Sequence, residues 1–88
     1  MKIKYVCDNG RHLICEPYTI ENLHIMAKEL DIRRHWFHKS KSGLYHYDIP
    51  KKRVEEIKSK CEVVETKEII RIIRSETNKQ ENIVSVKA

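Results

Sequence analysis

The residues best equipped for chemistry lie close together: Arg33-Arg34-His35-Trp36-Phe37-His38, followed by His46-Tyr47-Asp48. The only tryptophan and the only phenylalanine are there, with His35, His38 and His46 out of five histidines. A guanidinium grips phosphate or carboxylate through a planar fork of donors. Histidine exchanges protons near neutral pH, and an aromatic ring offers a stacking face. Arg33 and Arg34 are therefore candidate anion contacts and Trp36 a candidate platform. Each has a plainer role: arginines complement a helix C-terminus, and Trp36 and Phe37 contribute large buried area to a core.

His46 and Asp48 alternate with Tyr45, Tyr47 and Ile49, so on a strand they share one face. His46 can act as general acid or base, with Asp48 orienting it or gripping a sugar hydroxyl. This pair is the candidate catalytic set. Asp48 can instead cap the helix that Pro50 begins. Asp8 and His12, at or beside a turn, join Arg33, Arg34, Trp36, His46, Tyr47 and Asp48 as candidate ligand-binding residues.

No metal and no cofactor are expected. His35, His38, His46 and Asp48 offer ligand atoms, with His12 or Cys7 nearby. On an extended segment, however, the His35-x-x-His38 spacing points the two rings to opposite faces, and no cysteine pairing supports zinc. Two glycines provide no phosphate-cradling loop. Ser40 and Ser42 lie in a loop without a nucleophile signature.

These residues need elements to position them. Ile3, Tyr5 and Cys7 alternate with Lys2, Lys4 and Val6, which predicts a strand over 2–7. Asp8-Asn9-Gly10 is turn chemistry, and 12–16 forms a second strand, with a hairpin if Asn9-Gly10 turns tightly. Thr19 caps an amphipathic helix over 20–31, in which Leu23, Met26, Ala27 and Leu30 share a face and Tyr18 staples onto Leu23. His24, beside that stripe, reads as a semi-buried core histidine. Residues 39–43 are expected as a mobile loop, and 44–49 as a third strand. After Pro50, Val54, Ile57 and Cys61 mark a helix to about residue 60; a short strand covers 61–65. Thr66 caps a third helix, whose Ile69, Ile70, Ile72 and Ile73 either complete the core or make an oligomer contact. Residues 75–82 are polar and expected to fray, and Ile83–Val86 to form an edge strand or remain disordered.

The order predicts βαβ crossovers: a small single α/β domain over 1–75, with a mixed or partly parallel sheet and about three helices, and a flexible tail over 76–88. In such sheets ligands gather beyond the carboxyl ends of the strands. No apolar run approaches a membrane span, and the lysine-alternating N-terminus is not a signal peptide. Three cysteines without CxxC spacing are expected to be reduced. A cytoplasmic protein is expected. A formal charge of +5 and a pI near 9.2 favour acidic partners.

Tyr5-Val6-x-Asp8, His12-Leu13-Ile14, Leu23-His24, Arg33-Arg34-x-Trp36-Phe37 and His46-Tyr47-Asp48, in that order over about residues 3–65, resemble the bacterial and phage family called domain of unknown function 4031. The resemblance implies a small intracellular or phage-encoded protein and transfers no reaction. The segment between Asp8 and His12 is shorter than the family pattern, and His38 stands where glutamine is common.

The preferred reading is a module binding a nucleotide-like or phosphorylated anion, held by Arg33 and Arg34, with His46, Tyr47 and Asp48 on sugar or base and Trp36 or Tyr45 stacking. In a phage setting it would sequester a signalling nucleotide. The alternatives are a hydrolase or transferase using His46 and Asp48, and a nucleic-acid-binding protein tracking a backbone with Lys39, Lys41, Lys51, Lys52 and Arg53. A homo-oligomer through Ile69, Ile72 and Ile73 is compatible with each.

Overall fold

Short apolar runs need a sheet covered on both faces to bury them, and in the second strand the consecutive Leu13, Ile14 and Cys15 are all solvent-free. A computed structural model describes residues 3–9 and 11–87, with the side chains of 77–87 excepted. Among the described residues, five strands, β1 (Lys4–Cys7), β2 (His12–Glu16), β3 (Phe37–Lys39), β4 (Tyr45–Asp48) and β5 (Glu62–Val63), form one sheet in the order β3-β4-β2-β1-β5. Three α-helices accompany them: α1 (Ile20–Glu29), α2 (Val54–Lys58) and α3 (Thr66–Lys87). The protein is thus a small α/β domain with a mixed sheet, as expected.

The β1–β2 hairpin pairs Lys4 with Glu16 through Cys7 with Leu13. Its turn closes through the Asp8 side chain, which accepts from the Arg11 and His12 backbone N–H groups at 3.1 and 2.8 Å. The tight turn expected at Asn9-Gly10 falls partly on Gly10, outside the described residues. Thr19 caps α1 as predicted, its hydroxyl accepting from the Asn22 N–H at 2.9 Å. The helix stops at a left-handed residue, Asp31 with φ +57°, and Ile32 N–H reaches back to the Ala27 carbonyl at 2.8 Å. That is a Schellman closure with a buried apolar residue after it. Arg53 covers the same end, donating to the Leu30 and Asp31 carbonyls at 2.6 Å each.

The expected crossovers are corrected in one respect. Strand β4 lies antiparallel to β2, and the parallel pair among the described residues is β1 with β5. The cause is β3, which was not anticipated: a 3₁₀ turn over Arg34–Trp36 returns the chain from α1 into it. Strand β3 runs antiparallel to β4, so β2 and β3 point the same way with β4 between them. Likewise β4 and β5 point the same way with β2 and β1 between them. Each crossover thus spans intervening strands. The 39–43 segment is the β3–β4 connection, in which Gly43 adopts φ +83° and its N–H bonds the Ser40 carbonyl at 2.9 Å.

Helix α1 packs on one face of the sheet, where Tyr47 hydrogen-bonds His24 and Tyr5 hydrogen-bonds Glu29. Helix α3 covers the other face. Ile69, Ile72 and Ile73 are 3%, 7% and 2% exposed within one chain, so they complete the core. The helix continues through residues 75–87, and Ile83–Val86 is helical where an edge strand was an alternative. No proline or glycine interrupts this stretch, so nothing local stops its propagation.

Candidate functional site

Strands β1, β4 and β5 run in one direction, so their carboxyl ends share an edge of the sheet. Asp8 follows β1, Asp48 ends β4 and Thr66 comes shortly after β5. The amino end of β2 reaches the same edge, with His12 directly opposite Asp48. His38 lies opposite His46 on the outer strand. Cross-strand register therefore collects His12, His38, His46 and Asp48 from three strands.

Asp8 anchors the group from beneath. It is 2% exposed and accepts four hydrogen bonds: the two turn N–H groups, His12 Nδ1 at 2.6 Å and the Thr66 hydroxyl at 2.7 Å. Burial pushes its pKa up, but the hydrogen bonds from His12 and Thr66 outweigh this and hold it below the usual value. The carboxylate is thus occupied internally and acts by positioning His12. Since a carboxylate only accepts, His12 Nδ1 carries the proton and Nε2 is the ring's free nitrogen. Thr66 was expected to cap α3; as its first residue it instead donates to Asp8.

His46 is fixed by the same logic. Its Nδ1 lies 3.0 Å from the Leu44 carbonyl, an acceptor, so Nδ1 carries a proton. Its Nε2 lies 3.2 Å from Asp48 Oδ1. The other oxygen, Oδ2, lies 3.2 Å from His38 Nε2. The rings of His12 and His46 meet edge to face with centroids 5.0 Å apart. One ligand-capable atom from each of His12, His46 and Asp48 lies within 4.8 Å of the others.

A cleft of about 950 Å³ opens over this group, within the size range of small-molecule sites. Arg11, Lys39 and Lys51 supply cationic rims, Trp36 a half-buried aromatic wall, and His12, His38, His46 and Asp48 the polar floor. Beneath it, toward α3, Ile69, Ile70 and Ile73 form a small apolar hollow that also touches His12 and His46.

The expected site divides in two. His46 and Asp48 meet His12 and Trp36, but Arg33 and Arg34 line a separate cleft beside α1, with His24, Lys28 and Asp31. Tyr47 faces that side too and is 1% exposed. Its hydroxyl lies 2.8 Å from His24 Nδ1. Burial raises the Tyr47 pKa, partly offset by Arg34, so the neutral phenol donates to an unprotonated His24 nitrogen. Burial and the Arg34 charge lower the His24 pKa from its usual 6.5. A depressed histidine contributes stability above its unfolded value and loses it as pH falls through the folded value. We therefore expect the melting temperature to fall as pH drops from about 7 to about 5. His24→Gln, which keeps an acceptor but takes no proton, should flatten that fall in a calorimetric pH series; an unchanged slope would contradict the assignment.

Arg11 was not singled out from the sequence; Lys39 and Lys51 were named only for a nucleic-acid backbone, and His38 only as a donor atom beside His46 and Asp48. The alternation that placed His46 and Asp48 on one face would have extended to His38 and His12 had the strand order been known. His35 does not join the cluster; it lies against Trp36, ring centroids 5.1 Å apart. The residues whose ligand-capable atoms come close are instead His12, His46 and Asp48. Of the basic residues considered for nucleic acid, Arg53 is committed to the α1 terminus and Glu56.

A mixed sheet with histidines and an acid converging at one strand edge defines a small α/β domain with a polar, cation-rimmed cleft. Residues 4–76 match the family described as protein of unknown function (DUF4031), and the chain belongs to that family. No curated protein matches the chain, and no solved structure does. Among the described residues, no helix is long and apolar enough to cross a membrane.

Proposed function

We propose that the cleft over His12, His46 and Asp48 binds a phosphorylated, nucleotide-like small anion. The observation that carries this reading is the cleft's composition: Arg11, Lys39 and Lys51 stand around one carboxylate, with Trp36 on the wall. Phosphate would lie among the three basic side chains. Asp48 would accept from a ribose hydroxyl, and a base would stack on Trp36. Arg33 and Arg34, across the sheet, take no part. Sequestration of a signalling nucleotide is one use of such a module.

Calorimetry against nucleoside phosphates, cyclic nucleotides and ADP-ribose, in the presence of a chelator, tests this. Arg11→Glu with Lys51→Glu should weaken binding at least about tenfold, or about 1.4 kcal/mol. Arg34→Glu should leave it unchanged. No heat from any nucleotide, or loss with Arg34→Glu alone, would sink the proposal.

A second reading is supported by the Asp8–His12 contact of 2.6 Å. An acid that orients a histidine with a free Nε2 in a cleft is the arrangement of a general base. On this reading the ligand is hydrolysed or transferred, with His46 and Asp48 completing the set. Chromatography of the nucleotide after incubation separates the two, because binding alone returns it intact.

A further inference from the structure

The His46–Asp48 contact poses a problem of proton count. Leu44 requires a proton on His46 Nδ1, which leaves Nε2 of the neutral ring as a lone pair. That lone pair faces Asp48 Oδ1 at 3.2 Å, and an ionised carboxylate also offers only lone pairs. Two acceptors at this distance need a cation between or beside them: a proton, or a metal ion. A third lone pair is close by, since Asp8 holds the His12 proton on Nδ1 and leaves Nε2 free.

We propose that His12 Nε2, His46 Nε2 and Asp48 Oδ1 bind one divalent first-row transition ion, with Zn²⁺ as the reference. Two nitrogens and one carboxylate oxygen are a familiar zinc-type donor set that leaves a coordination position open. Ligand bonds of about 2.0–2.1 Å at tetrahedral angles place two donor atoms about 3.3 Å apart. The His46–Asp48 separation of 3.2 Å already matches. His12 completes the set with a closing movement, since one ligand-capable atom of each residue lies within 4.8 Å of the others.

The surroundings are those of a built site. Metal-binding histidines usually donate their second N–H to a carboxylate or a backbone carbonyl, which fixes the tautomer. His12 donates to buried Asp8, and His46 to Leu44. His38 holds Asp48 Oδ2 at 3.2 Å, which presents Oδ1 as a single-oxygen ligand. The Ile69, Ile70 and Ile73 hollow closes one side of the pair of rings, and the cation-rimmed cleft opens on the other. The open position therefore faces the cleft, where water or an anionic oxygen would complete the shell. Only this last point rests on the proposed anion binding; the three-ligand site stands without it.

The test is calorimetric titration of the full chain with Zn²⁺ and, separately, visible absorption of its Co²⁺ form, both without nucleotide. One ion per chain is expected. Asp48→Asn and His12→Gln should each abolish uptake; Asp8→Asn, one shell out, should weaken it about 10–100-fold. Asp48 is one-third exposed, so its variant should fold normally, which a melting curve verifies. Cys61→Ser should leave uptake unchanged and Co²⁺ spectra should lack thiolate charge-transfer bands. No Zn²⁺ or Co²⁺ uptake, uptake undiminished in the His12 and Asp48 variants, or thiolate bands would each overturn the proposal. Zinc uptake without nucleotide binding upholds this site and removes the proposed function. Nucleotide binding in chelator with no metal uptake does the reverse.

Discussion

Replacing Asp8 with alanine should lower stability by about 3–5 kcal/mol, because it removes a buried anion that accepts four hydrogen bonds. For a domain of this size that is a melting temperature about 12 °C lower, or more. The carboxylate is 2% exposed and ties together the β1–β2 turn, the His12 ring and the start of α3. Alanine takes the acceptor away from the two turn N–H groups, the His12 Nδ1–H and the Thr66 hydroxyl, and a hydrogen bond to a charged group contributes about 1.5–3 kcal/mol. Circular-dichroism melts of Asp8→Ala against Thr66→Val would check this. Thr66→Val removes one partner and should cost about 1 kcal/mol. A change below about 3 °C for Asp8→Ala would mean that water reaches these donors and that Asp8 is no keystone. The pH dependence has a definite sign. Since the folded state holds Asp8 below its usual pKa of 3.8, its contribution is full above that value and is lost as pH falls through the folded value.

Tyr47→Ala should be comparably severe, costing about 3–5 kcal/mol, whereas Tyr47→Phe should cost about 1 kcal/mol. The ring is 1% exposed and packs against Phe37 and His24, with centroids 5.3 and 5.9 Å away. Removing it opens a cavity under α1, while phenylalanine keeps the packing and forfeits only the hydroxyl bond to half-buried His24. Ligand affinity measured on Tyr47→Phe decides between the two roles this tyrosine was given. An unchanged affinity fits a core residue. A lost affinity at an unchanged melting temperature would restore Tyr47 as a ligand contact.

Much of the local architecture was legible in the residues. Thr19 announced the start of α1, and Leu23, Met26, Ala27 and Leu30 its buried stripe, because caps and 3.6-residue periodicity are short-range signals. The alternation Tyr45-His46-Tyr47-Asp48 correctly separated two polar side chains from two aromatic ones. Strand β3 was not legible: Phe37–Lys39 is too short to show a period, and its pairing with β4 alone makes it a strand. With it in place, each crossover spans intervening strands. The arginine pair lies apart from His46 and Asp48 for a related reason. Arg33 and Arg34 are close in sequence to Trp36, but the 3₁₀ turn between them moves the chain from the α1 side to the outer edge of the sheet.

The Arg33 to Asp48 stretch therefore holds two of the residues that the fold gathers at one strand edge, His46 and Asp48, while His12 comes from another strand. By itself the sequence determined the strand faces, the Thr19 cap, the basic charge and the family, since all are carried by neighbouring residues or by their order along the chain. Only the tertiary structure decided that Asp8 holds His12, that His12 and His38 flank His46 and Asp48, and that Arg34 serves the opposite face. Those contacts depend on strand order and register, which are set by burying the whole sheet between α1 and α3, and no short stretch of chain encodes them.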